Sequence, residues 1–207
     1  MKLRVEANRS VTLILPQGLS PSEGLSFIRQ EQDWLCRNLS ATQKPVLFEP
    51  GAEIPVYGEP HRIIHTPEKR GVVSRKNGEI HVSGDAAHVP RRLKDWAYRE
   101  IRKTVTEKVD RHTQKLQVMR GRISIRDQKS RWGSCSSAGN LNFSWRLFFM
   151  PDLVIEYITA HEVAHLVHLD HSKDFWKVTH LLCSEVEIAK QWLKRQGASV
   201  HKYSVTR

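Results

Sequence analysis

His161-Glu162-Val163-Ala164-His165, followed six residues later by His171, is the stretch from which this chain is read outward. Two imidazoles four positions apart project from one face of a helix, one turn apart, so both reach a single ion. Glu162 adjoins the first of them, where a carboxylate can take a proton from water at the metal while staying outside the coordination shell. The surrounding helix is apolar: Pro151 is suited to its first helical position, and Leu153, Val154, Tyr157, Ile158, Ala160, Ala164 and Leu166 follow. Eleven histidines make chance pairs common, and the bland alternative is a pair of packed or solvated side chains. Placed in an apolar helix with a glutamate between them, the pair points to a zinc hydrolase with Glu162 as general base.

Catalytic zinc keeps three protein ligands and an open fourth position, so a third donor is expected downstream. His171 gives His-Glu-x-x-His-x5-His, the metzincin spacing, but those enzymes place Gly where this chain has His168, and no Met-turn follows. The metzincin label is therefore not adopted. Glu185, 20 residues after His165, is the rival, at an offset resembling that of a thermolysin-type glutamate ligand, with Glu187 an equally plausible acid beside it. His168 lies seven residues from His161, about 10 Å along a helix at ~1.5 Å per residue, too far for both to hold one small ion. His171 is the leading candidate and Glu185 the second.

From Met1 to about Gly84 short apolar runs alternate with turn residues and read as strands: Leu3 to Glu6, Val11 to Leu15, Glu53 to Tyr57, Arg62 to Ile64 and Glu79 to Val82. Gly58-Glu59 and Lys76-Asn77-Gly78 read as hairpin turns. Pro21 to Leu39 interrupts them with helical spacing and Ser22 able to cap its start. Pro90 to Gln117, with Leu93, Trp96, Ala97, Ile101, Val105, Val109 and Leu116, reads as one long amphipathic helix. Arg122 to Arg126 and Leu141 to Phe149 read as strands, and Ser172 to Leu182 and Ser184 to Gln196 as two further helices. Phe175 and Trp176 are placed to anchor the His171 turn against the zinc helix, with Asp174 and His180 as possible partners of the ligands. The fold class is α+β: a small mainly-β N-terminal subdomain, residues 1–87, packed on a helical domain, residues 88–207, that carries a short antiparallel sheet.

Three blocks around the histidines carry a resemblance: Lys129-Ser130-Arg131-Trp132-Gly133-Ser134-Cys135-Ser136, Gly139-Asn140-Leu141-Asn142-Phe143, and His171-Ser172-Lys173-Asp174-Phe175-Trp176. With the His-Glu-Val-Ala-His core they look like the YgjP-like metallopeptidases, a bacterial branch related to the SprT-like zincins, over about Ile123 to Trp176. The resemblance implies a zincin-like domain and a zinc-dependent peptidase-type site, with His161, His165 and His171 as ligands and Glu162 as base. It also places the Arg131 loop near the site. From the residues themselves, Gly133 permits close backbone approach, Ser134 and Asn140 can donate hydrogen bonds, and Arg131 could hold an anionic group. Arg131, Trp132, Ser134 and Asn140 are accordingly the candidate substrate-binding residues; the bland alternative is a tight strand connection with Trp132 packed beneath it.

A length of 207 residues suffices for a sizeable core. The five-residue apolar run Val11 to Leu15 is short for a signal-peptide core, and no run approaches the ~20 residues of a membrane span, so a soluble cytoplasmic protein with no membrane partner is expected. Cys36, Cys135 and Cys183 form no Cys-x-x-Cys pair and read as reduced thiols. The formal charge of +11 favours anionic partners, although the basic residues are spread rather than massed. Three functions stay in view: hydrolysis of polypeptides, hydrolysis of a phosphoanhydride such as a nucleoside triphosphate at the same zinc site without a Walker loop, and a weak nucleic-acid association through the basic surface.

Overall fold

The computed structural model describes residues 1–5, 10–35, 44–69, 71–128 and 130–205. Packing divides them into two units, Met1–Leu47 with His201–Arg207, and Phe48–Val200.

In the first unit, β1 (Lys2–Val5) and β2 (Val11–Ile14) pair antiparallel, Lys2 opposite Ile14. Helix α1 (Pro21–Gln30) starts one step earlier than its expected cap. Ser20, not Ser22, is the N-cap: it accepts from the Glu23 N–H while Glu23 accepts from the Ser20 N–H, with Pro21 in the first turn. Pro21 supplies the preset φ of a first helical position, so the reciprocal box closes around it. Residues 32–35 are helical as well; Cys36 and Leu39 lie outside the described residues. The unit also holds β3 (Val46–Leu47).

The second unit opens with a four-stranded sheet ordered β4 (Glu53–Val56), β5 (Glu59–His65), β7 (Glu79–Val82), β6 (Val73–Lys76). The outer pairs are antiparallel and β5–β7 is parallel. The two hairpins turn at Tyr57-Gly58 and Asn77-Gly78, each with both residues at positive φ (53° and 86°, 52° and 74°), the primed geometry that matches strand twist. The first turn thus sits one residue before its expected place, and Glu59 belongs to β5. Alternation buries Ile54, Val56, Ile63, Ile80 and Val82 on one face. This sheet packs with the helices of its own unit: Tyr57 donates its backbone N–H to the Phe148 carbonyl and stacks obliquely on the Phe148 ring. Packing therefore divides the chain at Leu47–Phe48 and not near residue 87, because the buried sheet face needs the aromatic core supplied by residues 145–149.

Helix α2 (Val89–Leu116) follows, with Leu93, Trp96, Ala97, Ile101, Val105 and Val109 buried at spacings of three and four. Strands β8 (Ile123–Arg126), β9 (Gly133–Cys135) and β10 (Leu141–Ser144) form a sheet ordered β8-β10-β9. It is mixed where an antiparallel sheet was expected: β9–β10 is antiparallel and β8–β10 parallel, because the hairpin strand β9 intervenes in sequence and reverses the chain once more. The expected strand to Phe149 stops at Ser144, whose hydroxyl accepts from the Arg146 N–H and starts a 3-10 turn over Trp145–Phe149. Trp145, Leu147, Phe148 and Phe149 are all buried, which a strand with one solvent face does not allow.

Pro151 is the N-cap, not the first helical residue, of α3 (Asp152–Ala164). Its burial on nearly all sides makes it the central helix of the unit. Ser172 caps α4 (Lys173–Leu182), and α5 (Val186–Gln196) ends at Gly197. The last strand, β11 (Tyr203–Ser204), belongs to the first unit and pairs parallel with β3. None of the described helices is long and apolar enough to cross a membrane.

Candidate metal centre

Helix α3 ends at Ala164, so His165 stands at its C-cap, one turn beyond His161. The chain then turns tightly: the N–H groups of Val167 and His168 donate to the Ala164 carbonyl. This turn takes the place of a metzincin glycine turn, and His168 serves it through its backbone, with its carbonyl accepting from His165 Nδ1 at 2.9 Å. That bond puts the His165 proton on Nδ1 and leaves a lone pair on Nε2 that could hold a metal. Asp170 accepts from the Ser172 N–H and Ser172 accepts from the Phe175 N–H, so the α4 cap holds His171 in place just before it.

These local bonds bring His161, His165 and His171 together, with ligand atoms all within 4.8 Å of one another. The Nε2 atoms of His161 and His171 are 3.1 Å apart. Tetrahedral zinc with Zn–N distances of 2.0–2.1 Å sets its nitrogens about 3.3 Å apart, so the donors fit such an ion with small adjustment. Among the described residues no other such group of His, Cys, Asp and Glu occurs, and Glu185 and Glu187 stand outside this one. Glu185 is an exposed N-cap and Glu187 is paired with Lys190 at 3.0 Å. Phe175 is fully buried beneath the three imidazoles, with ring centroids 4.9, 4.6 and 4.7 Å from those of His161, His165 and His171. Asp174 is held by Lys177 at 2.8 Å rather than by a histidine, and His180 is exposed.

Glu162 is 6% exposed and faces β9. A Cβ on Gly133 would lie 2.5 Å from Glu162 Oε1, 2.6 Å from Cγ and 2.8 Å from Cδ, so this carboxylate fits only because residue 133 lacks a side chain. A cleft of about 160 Å³ opens here, lined by Trp132, Gly133, Tyr157, Ile158, His161, Glu162 and Leu193.

A family model described as the YgjP-like metallopeptidase domain matches residues 1–196. The chain belongs to this family. A solved structure, the crystal structure of the metallopeptidase zymogen of Pyrococcus abyssi abylysin, is similar at 23% identity and a TM-score of 0.38, covering 44% of this chain and 95% of that one. A search of the curated proteins finds no match.

The electrostatics of this YgjP-like domain suit metal ligation and proton transfer. Burial, with the neighbouring His165, His171 and Lys190 charges, draws His161 down to about 4, and burial also lowers His165, so both are neutral at neutral pH and each carries a lone pair that could hold a metal. Burial pushes Glu162 up to about 7 against the pull of the Arg131 charge and the Cys135 backbone N–H; a cation on the histidines would draw it back down. Burial and the Glu162 charge lift the Cys135 thiol to about 11, so it is no thiolate nucleophile. Burial, with the Glu187 and Glu162 charges, lifts the Tyr157 phenol to about 12, so it keeps its proton.

The candidate substrate-binding residues separate. Trp132 lines the cleft and Arg131 is exposed, within electrostatic reach of Glu162. Ser134 projects from the β9 face opposite the one Gly133 turns to Glu162, with its Oγ 3.5 Å from Asn142 Nδ2. Asn140 is spent on the turn: its Oδ1 accepts from the Arg122 N–H at 2.9 Å and its own N–H donates to Ser136 Oγ. Ile158 and Leu193 were not singled out from the sequence. Ile158 carries a signal, one residue after Tyr157 on the ligand helix, but Leu193 lies 32 residues beyond His161 on α5 and only helix packing brings it in.

Proposed function

We propose that this chain is a zinc-dependent peptidase in which Glu162 is the general base and His161, His165 and His171 hold the metal. The observation that carries the reading is a buried glutamate beside the one histidine cluster found among the described residues, both opening on the same cleft. When bound, zinc supplies Lewis-acid polarisation of the scissile carbonyl and acidifies water. Glu162 takes the proton of the attacking water and passes it to the leaving amine, as its raised proton affinity allows. Tyr157, proton-bearing and in the cleft wall, donates to the oxygen that gains charge.

Strand β9 supports a polypeptide as the substrate. It is an edge strand, and Trp132 and Ser136 bond to Ser144 and Asn140 across the β10 side, so alternation turns the backbone groups of Gly133 and Cys135 to the free edge. The Cys135 N–H holds Glu162, and the Gly133 groups remain for a peptide added as a further strand. A phosphoanhydride needs cationic groups around its oxygens, whereas this cleft is walled by Trp132, Tyr157, Ile158 and Leu193.

Zinc-loaded wild type and Glu162→Gln, incubated with unfolded polypeptides and nucleoside triphosphates and read by mass spectrometry, test the reading. Peptide cleavage by the wild type should fall by at least about 10³-fold in the variant at unchanged zinc stoichiometry. Full activity in Glu162→Gln, or phosphate release in place of peptide products, rejects it.

A further inference from the structure

Pockets that take a whole small molecule enclose about 300–1,000 Å³. The cleft beside Glu162 encloses about 160 Å³, the space of one side chain. Besides His161 and Glu162, the polar groups of its lining side chains are the Tyr157 hydroxyl, assigned above to the reacting oxygen, and the Trp132 indole N–H, and Glu162 is its one acidic carboxyl. Ile158, 4% exposed, belongs to the buried core, and Trp132 and Leu193 are half-buried. Trp132 and Leu193 also converge on Gly197: a Cβ there would touch Leu193 Cδ2 at 3.6 Å and Trp132 Cζ2 at 3.7 Å. The cavity is thus apolar where it departs from the histidines and has the base in its lining.

We infer that this cleft receives one large apolar side chain of the substrate, leucine to phenylalanine in size, beside the bond that is cut, with Leu193 setting its size limit. The inference rests on the peptidase reading. A polar or acidic side chain would lose water for a wall of Trp132, Ile158 and Leu193, and an acidic one would also meet Glu162. A lysine would pair with Glu162 and take the base out of use. Leu193 comes from α5, outside the ligand helix, so its size can change without altering a ligand or the base.

The test has a binding arm and a cleavage arm, both on the zinc-loaded full chain. Leucine, phenylalanine, alanine and aspartate hydroxamates, which chelate zinc and present one side chain each, are titrated calorimetrically. A peptide set varied at the positions flanking the cut is assayed in parallel. Leucine and phenylalanine should exceed alanine and aspartate by about tenfold or more in affinity and in kcat/KM. Leu193→Trp should remove that advantage, and Leu193→Ala should extend acceptance to naphthylalanine, with melting curves confirming that both variants are folded. Hydroxamate affinities independent of the side chain, or a preference that ignores both Leu193 variants, overturn the inference. Side-chain-selective binding without peptide cleavage keeps the pocket and rejects the peptidase reading; Glu162-dependent cleavage without side-chain preference does the reverse.

Discussion

Glu162 and Gly133 act as a single device. The glutamate was legible from its place between two histidines, but the glycine is 29 residues away and its necessity appears only when β9 lies against α3. In Gly133→Ala the new methyl meets the carboxyl at 2.5 Å, so either Glu162 swings away or the strand retreats. Displacing a catalytic group by an ångström costs about 100-fold, so kcat should drop by that order while zinc stoichiometry, measured by atomic emission, stays at the wild-type value. The clashing atoms, Oε1, Cγ and Cδ, are all absent from alanine. Adding Gly133→Ala to Glu162→Ala should therefore cost little further melting temperature, and a full additive loss would show that the glycine serves something other than the glutamate. His168 illustrates the opposite limit of sequence reading: its ring was weighed as a ligand, yet its contribution is a backbone carbonyl, which any residue type carries.

At the scale of elements, α3 is positioned from the side away from its histidines by a charge cluster with α2. Lys108, nearly buried, sits 2.9 Å from both Asp152 and Glu156, while Arg111 and His112 approach Glu156 at 2.5 and 3.2 Å. Burial alone would raise Glu156, but the hydrogen bonds from His112, Lys108 and Arg111 outweigh it and hold the carboxyl well below the usual range. Its folded pKa is below its unfolded one, so its stabilisation is complete above the ordinary glutamate value of ~4.3 and disappears as pH falls through the depressed folded value. Glu156→Gln should cost roughly 3 kcal/mol at neutral pH, and the gap to wild type in urea melts should shrink below about pH 4. A gap that is constant from neutral to strongly acid pH would exclude the ionic origin. Helix α2 was legible almost to the residue, because its apolar spacing is carried by its own sequence. The strand expected over Leu141 to Phe149 failed at Ser144, because Phe143, Trp145, Leu147 and Phe149 alternate as a strand would while the Ser144 cap that starts the 3-10 turn resembles any strand serine. The parallel β8–β10 pairing was equally hidden, since it depends on where β9 inserts.

For the whole molecule, the α+β class was readable from the alternation of strand-like and helix-like stretches, but the packing division was not. Residues 48–87 look like the continuation of a β-rich N-terminal part, and only their burial against residues 145–149 assigns them to the unit that carries the histidines. The first unit draws on both ends of the described chain, through the parallel β3–β11 pairing of Val46 with Tyr203. Removing residues 203–207 should speed hydrogen exchange at Val46 and Leu47 while zinc still binds His161, His165 and His171; unchanged protection at Val46 and Leu47 would mean that the pairing contributes no stability. The same pairing carries a timing consequence during synthesis. Strand β3 leaves the ribosome early and its partner is made about 150 residues later, an interval of roughly 10–30 s at ordinary elongation rates. All of Phe48–Val200 is translated within that interval, so Val46 and Leu47 wait without this partner while the unit that carries the histidines is made.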